Sequence, residues 1–253
     1  MNAVIQLFLY RCAPGANEVE RLLKERRQHE IDLCFQMNSH HPAIKKMYIL
    51  CENQETIQYY RALGDDVKEK LEFILFGHQP TYKEFLEFVR DFIPDDEIVC
   101  IMNSDIYFHK DVSVSFLEKH LTHKKIFGLT RHEFTDLDHT VCNEKSCPLI
   151  YLHRGSHDTF LFRTPISSTI DLASIDNRQN LFGSENVFLH AWNKAGWTVQ
   201  NPCHQIKTVH VHAHRVYFQD YPRINVGREY FCDKEECPED SNTLIKMPDI
   251  FPE

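Results

Sequence analysis

A carboxylate at the end of a buried strand can hold a divalent cation or take a proton, and residues 97–108, EIVCIMNSDIYF, carry one in that place. Ile98 to Met102 form an unbroken apolar run that stops on Asn103, Ser104 and Asp105, then turns apolar again at Ile106. Taken alone, Asp105 equally suits a turn or a helix cap. A second group follows at residues 210–214, HVHAH. The two-residue period of a strand puts His210, His212 and His214 on one side, with Val209, Val211 and Ala213 on the other. Neutral imidazole is a common metal ligand, and one histidine joining Asp105 is more economical than a zinc centre made of all three.

Glu185 falls in the first turn of a helix predicted over 184–195. There the helix dipole favours a carboxylate, and the same carboxylate could act as general base toward a hydroxyl. Asp158, in RGSHDTF, competes for that role. Arg131 closes FGLTR and Arg215 follows the histidine strand; either could meet phosphate oxygens in a bidentate way. Two CxxxxC pairs, Cys142 with Cys147 and Cys232 with Cys237, could supply four thiolates to zinc, although the acidic residues between them favour solvated loops. Gly-rich phosphate loops, GxSxG and HExxH are missing from the sequence, which has only 8 glycines.

These residues need elements to hold them. The runs VIQLFLY, KKMYILCE, LEFILFG and EIVCIMN suit strands buried in a parallel sheet. Between them, residues 81–93 carry a clear helical stripe of Tyr82, Phe85, Leu86, Val89, Phe92 and Ile93, stopped by Pro94. A short helix is predicted from about Val112 to Leu121 with Asp111 as its cap, then a strand KIFGLT. Residues 134–157 read as a long surface loop, DTFLFRTP as a strand, and 167–180 as a second loop. The helix over 184–195 takes Ser184 as N-cap and Gly196 as its stop, and TVQNP and KTVHVHAHRVY follow it. Strand and helix alternating in this order predict an α/β fold with right-handed crossovers and a mostly parallel central sheet flanked by helices. Ligands bind such sheets outside the carboxyl ends of the strands, where Asn103, Ser104 and Asp105 stand.

The 253 residues can bury a sizeable core. A formal charge of -9 gives no reason to expect nucleic acid or an anionic membrane as partner, so an anionic ligand would need a metal or a few placed cations. No stretch reaches the roughly 18 apolar residues of a spanning helix. The first residues lack the basic region of a signal peptide, and nine cysteines is an odd count, so a reduced, cytoplasmic compartment is expected, with a fragment of a larger Golgi or viral protein as the alternative.

In their order, IMNSDIYF, LTRHE, GSHDTFLFR, GSENVFLHAWNKAGWTVQNP and HVHAH resemble the GT-A-fold glycosyltransferase-like proteins of algae, plants and large DNA viruses. ERRQHEIDLCFQMNSHHPAIKKMYILCE is similar to that family's first helix running into its second strand, and the resemblance spans residues 4–218. It implies a single GT-A-like, Rossmann-like domain: a nucleotide-binding half over 1–108, an acceptor and metal-completing half over 109–218, and a tail over 219–253. It implies that NSD stands for the DxD motif, with Asn103 uncharged in the first place and Asp105 holding Mn2+ or Mg2+ on the diphosphate of a nucleotide sugar, a UDP-sugar first among them. It further implies that His210 or His212 completes the metal shell. Glu185 would be the base of an inverting transfer to a glycan or other hydroxyl acceptor, with retention left open if Glu185 only serves its helix. Two rivals are a catalytically silent module of the same fold and a metal-dependent phosphohydrolase. The latter would want a second acid two residues after Asp105, where Tyr107 stands.

Overall fold

The computed structural model describes residues 1–134, 149–179, 181, 183–203 and 205–212. The first half alternates as the periodicity predicts: β1 (Asn2–Leu7), α1 (Glu18–His40), β2 (Lys46–Cys51), α2 (Gln54–Leu63), β3 (Leu71–Leu75), α3 (Tyr82–Phe92) and β4 (Ile98–Met102). The second half adds β5 (Ile106–Phe108), α4 (Val114–His120), β6 (Lys125–Phe134), β7 (Leu149–Arg163), α5 (Ser184–Lys194), β8 (Thr198–Gln200) and β9 (Thr208–His210).

All the strands join one sheet in the order β3-β2-β1-β4-β7-β6-β9-β5, with β8 beside β6. Pairing is parallel through β3, β2, β1 and β4, antiparallel from β4 to β7 and from β7 to β6, and parallel again from β6 to β8 and β9. The result is a mixed α/β fold with a mostly parallel sheet.

Strand alternation divides the core between two faces. Val4, Val99, Ile101, Phe160 and Phe162 pack against α3 and α5 through Tyr82, Phe85, Phe188 and Trp192. Ala3, Ile5, Leu7, Cys100, Met102 and Leu161 pack against α1, α2 and α4 through Ile31, Phe35, Tyr60 and Leu117. Both faces are covered, which is why the central strands read as continuous apolar runs. From β1 the chain steps outward to β2 and β3 with its helices on one face, then returns through α3 on the other face to lay β4 on the far side of β1. The strand order therefore reverses between β1 and β4, and their carboxyl ends form the crevice of a doubly wound sheet.

Several boundaries differ from those the sequence predicts. β1 ends at Leu7, and residues 8–10 leave the sheet. β3 lies at the sheet edge and is only half-buried, with Leu75 58% exposed, because one flank of an edge strand has no neighbour. α3 has the capping box Thr81 and Glu84, but Phe92 at its last turn points outward and stacks on Phe88. Ser113, rather than Asp111, caps α4, accepting from the Phe116 amide at 3.2 Å. The predicted loop over 134–157 is strand from 149 onward, since β7 continues past Asp158 and pairs with β6 as far as Phe134. Residues 135–148 lie outside the described residues, as do His214, Arg215 and both CxxxxC pairs.

Candidate functional site

α1 is the element that fixes the end of β4. Its buried stripe runs Arg27, Glu30, Ile31, Cys34, Phe35 and Asn38, at helical spacing. Asn38 donates to the Ile106 carbonyl at 2.8 Å and accepts from the Phe108 amide at 3.1 Å, so the helix holds β5 by its backbone. The turn between β4 and β5 is closed by the Ile106 amide on the Asn103 carbonyl at 3.2 Å. Asn103, Ser104 and Asp105 are thus a short loop pinned at both ends.

Two clusters form around that loop. In the first, β9 runs antiparallel to β5, and the Val211 amide donates to the Asp105 carbonyl at 2.9 Å. His210 and His212 both face Asp105. Strand pairing ends at His210, but the extended backbone keeps the alternation the sequence predicts, with Val209 and Val211 buried on the other side. His210 Nε2 lies 3.2 Å from Asp105 Oδ2, and the two imidazole rings meet edge to face at 5.3 Å. One ligand atom each from Asp105, His210 and His212 lie within 4.8 Å of one another, an arrangement that could hold a metal ion.

Arg27 also enters this cluster, and sequence reasoning missed it. Its Nη1 donates to Glu30 at 2.5 Å and to the Val211 carbonyl at 2.7 Å, while its Nη2 donates to Asp105 Oδ2. Burial pushes the Asp105 carboxyl up, but His210 and the Arg27 guanidinium outweigh it and hold it well below the usual carboxylate range. Burial likewise presses on Arg27, and Asp105 and Tyr10 keep it charged. Tyr10, just past β1, bonds Arg27 through its side chain, which brings the other lip of the β1/β4 crevice to the same place. The signal for Arg27 was its position four residues before Ile31 and seven before Cys34, on the buried face of α1.

The second cluster joins Asn103, Asp158 and Arg131. Asp158 is buried on β7 beside the end of β4, and its carbonyl accepts from the Asn103 amide at 3.0 Å. Asn103 Nδ2 donates to Asp158 Oδ1 at 2.9 Å, and Arg131 Nη1 donates to Asp158 Oδ2 at 2.8 Å. Asn103 Oδ1 is buried without a hydrogen-bond partner among the described residues. Arg131 therefore contacts a carboxylate of its own chain.

Glu185 lies in the first turn of α5 and is half-buried. Gly183, not Ser184, is the N-cap: its φ of 90° lies in the left-handed region that glycine adopts without cost, and the Ser184 hydroxyl instead donates to the Gln179 carbonyl at 3.0 Å. Burial raises the fully buried Tyr82 phenol well above its usual range, with Glu185 and Asp158 adding to it, which puts both carboxylates near that ring. Among the described residues, the ligand atoms that converge are those of Asp105, His210 and His212, and Glu185 is not one of that group. Ser104 sits in the loop, half-buried.

No family model matches the chain, and no curated protein does. Solved structures with a similar course of chain include HddC from Yersinia pseudotuberculosis, at 12% identity and a TM-score of 0.36, covering 69% of this chain and 78% of that one. HddC complexed with GMP-PN is similar at 12% identity and a TM-score of 0.34, covering 71% of this chain and 80% of that one. A Bacillus anthracis structure described as a glucose-1-phosphate thymidylyltransferase, in complex with a sucrose, is similar at 10% identity and a TM-score of 0.42 over 87% of this chain and 97% of that one. No described helix is long and apolar enough to cross a membrane.

Proposed function

We propose that this chain is a metal-dependent glycosyltransferase that takes a nucleotide sugar, a UDP-sugar first among them, and passes the sugar to a hydroxyl of a glycan or other acceptor. The observation that carries the reading is the convergence of Asp105, His210 and His212 beside the β1/β4 crevice, the place where a doubly wound sheet binds its ligand. One carboxylate oxygen and two imidazole nitrogens fit a borderline cation such as Mn2+ better than Mg2+, which prefers an all-oxygen shell. Bound there, the cation would supply positive charge for the diphosphate leaving group.

The remaining work belongs to the chain. Asp158, occupied by Asn103 and Arg131, positions the loop rather than taking a proton, and it gives the uncharged first place of NSD a carboxylate neighbour. Glu185 is then the base: its carboxylate accepts the proton of the acceptor hydroxyl as the new glycosidic bond forms and the nucleoside diphosphate departs, which inverts the anomeric carbon. One observation favours the rival of a binding module without turnover: Asp105 and Asp158 each already have an arginine partner.

Differential scanning of thermal unfolding across a panel of nucleotide sugars, with Mn2+ or with EDTA, separates these readings. A ligand at a hundred times its Kd should stabilise the protein by about 2.7 kcal/mol, only with metal, and Asp105→Asn should remove the effect. Absence of metal-dependent stabilisation across the panel would sink the transferase reading. Stabilisation without product from any acceptor would favour the binding module.

A further inference from the structure

Arg27 is buried, yet it lies against the oxygen of Asp105 that also meets His210, and it is fixed there from two sides. Glu30, one turn along α1, holds Nη1 and stops the side chain from swinging outward. The Val211 carbonyl holds the same nitrogen, and Val211 lies between the two histidines. A single guanidinium thus touches one candidate ligand and the backbone that joins the other two. Its planar fork serves three acceptors at once, which a lysine ammonium on a flexible stem does less well.

We propose that Arg27 is a positioning residue and the resident cation of this site, competing with a divalent ion for the Asp105 carboxylate and so setting the affinity of the site for metal. The proposal rests on the reading of Asp105, His210 and His212 as a divalent-cation site. Charge counting gives its direction. Arg27 pairs with both Asp105 and Glu30; without it the Asp105 carboxylate loses a full positive charge at the oxygen it offers the incoming ion, in surroundings of low dielectric where charges act strongly. Loss of Arg27 could also loosen the ligands, but β9 is held independently by its pairing with β5 and β6 and by the Val211 amide on Asp105. Relief of competition therefore outweighs loss of order.

The test is Mn2+ binding to the full chain without nucleotide, followed by loss of the free-ion paramagnetic resonance signal, for the wild type, Arg27→Gln, Arg27→Lys and Asp105→Asn. Arg27→Gln should bind at least ten times more tightly than the wild type, Arg27→Lys, which keeps the charge, within threefold of it, and Asp105→Asn should lose binding. Asp105-dependent binding with Arg27→Gln no tighter than the wild type overturns the role of Arg27 and leaves the metal site standing. Binding that is absent from both the wild type and Arg27→Gln, or that survives Asp105→Asn, removes the metal site and the proposal with it. Should Arg27→Gln not fold, the wild-type Arg27 Nε–H resonance, assigned by its loss in Arg27→Lys, must shift on saturation with Zn2+; an unmoved resonance overturns the proposal.

Discussion

Asp158 has one oxygen on Asn103 and the other on Arg131, whereas Glu185 sits half-buried in the first turn of a helix. Two carboxylates that compete for one role in the sequence thus have different surroundings, and substitution should separate them. Glu185→Gln should lower the transfer rate by about 10²–10⁴-fold while donor binding, measured by calorimetry, stays as it was. Asp158→Asn should act differently: it breaks a buried ion pair, at a cost of about 3–5 kcal/mol in unfolding by denaturant, and weakens donor binding through the Asn103 loop. Unchanged turnover in Glu185→Gln would move the base elsewhere. Asp105 and its histidines were legible because an apolar run ending in NSD and a period-two histidine strand are both one-dimensional patterns. How firmly Asp105 is held charged was not legible, because His210 and Arg27, 105 and 78 positions away in the chain, hold it so.

At the scale of the element, the approach of α5 to the sheet decides where Glu185 stands. Gly128 on β6 permits that approach: a Cβ built there would lie 2.9 Å from both terminal methyl carbons of Leu189, a buried residue of α5. Gly128→Ala should force Leu189 aside and cost about 1–3 kcal/mol. It should also reduce turnover more than donor binding, since it displaces the helix that carries Glu185 and leaves the Asp105 cluster alone; equal losses in both would count against this division of labour. Existence and order of β1 to β4 and of α3 and α5 followed from periodicity, because apolar faces must be buried whatever their partner, whereas the three-residue β5 did not. Their ends were less legible. The pattern of the chain marks only DTFLFRTP as strand, and pairing with β6 is what makes the preceding residues from Leu149 part of β7.

At the scale of the whole molecule, burial of neutral histidines couples stability to pH. Burial lowers His157 to about 4, and it lowers His212 to about 4 with help from Arg27, against an ordinary value of 6.5. Between those values the unfolded chain takes up protons that the folded chain refuses. Stability is therefore full above about pH 6.5 and falls as the pH drops toward 4, by up to about 3 kcal/mol for the wholly buried His157. Urea unfolding at several pH values should show this slope, and His157→Gln should flatten it; an unchanged slope would place the cause elsewhere. By itself the sequence determined the class of fold, the faces of its elements and the strand-end carboxylate with its histidine partners, because these depend on spacing along the chain. Only the tertiary structure decided that Arg27 and Glu30 share the site with Asp105, that Arg131 is paired with Asp158, and that β1 and β4 open one crevice. Those contacts join residues far apart in the chain, and they exist only once the sheet order has brought its carboxyl ends together.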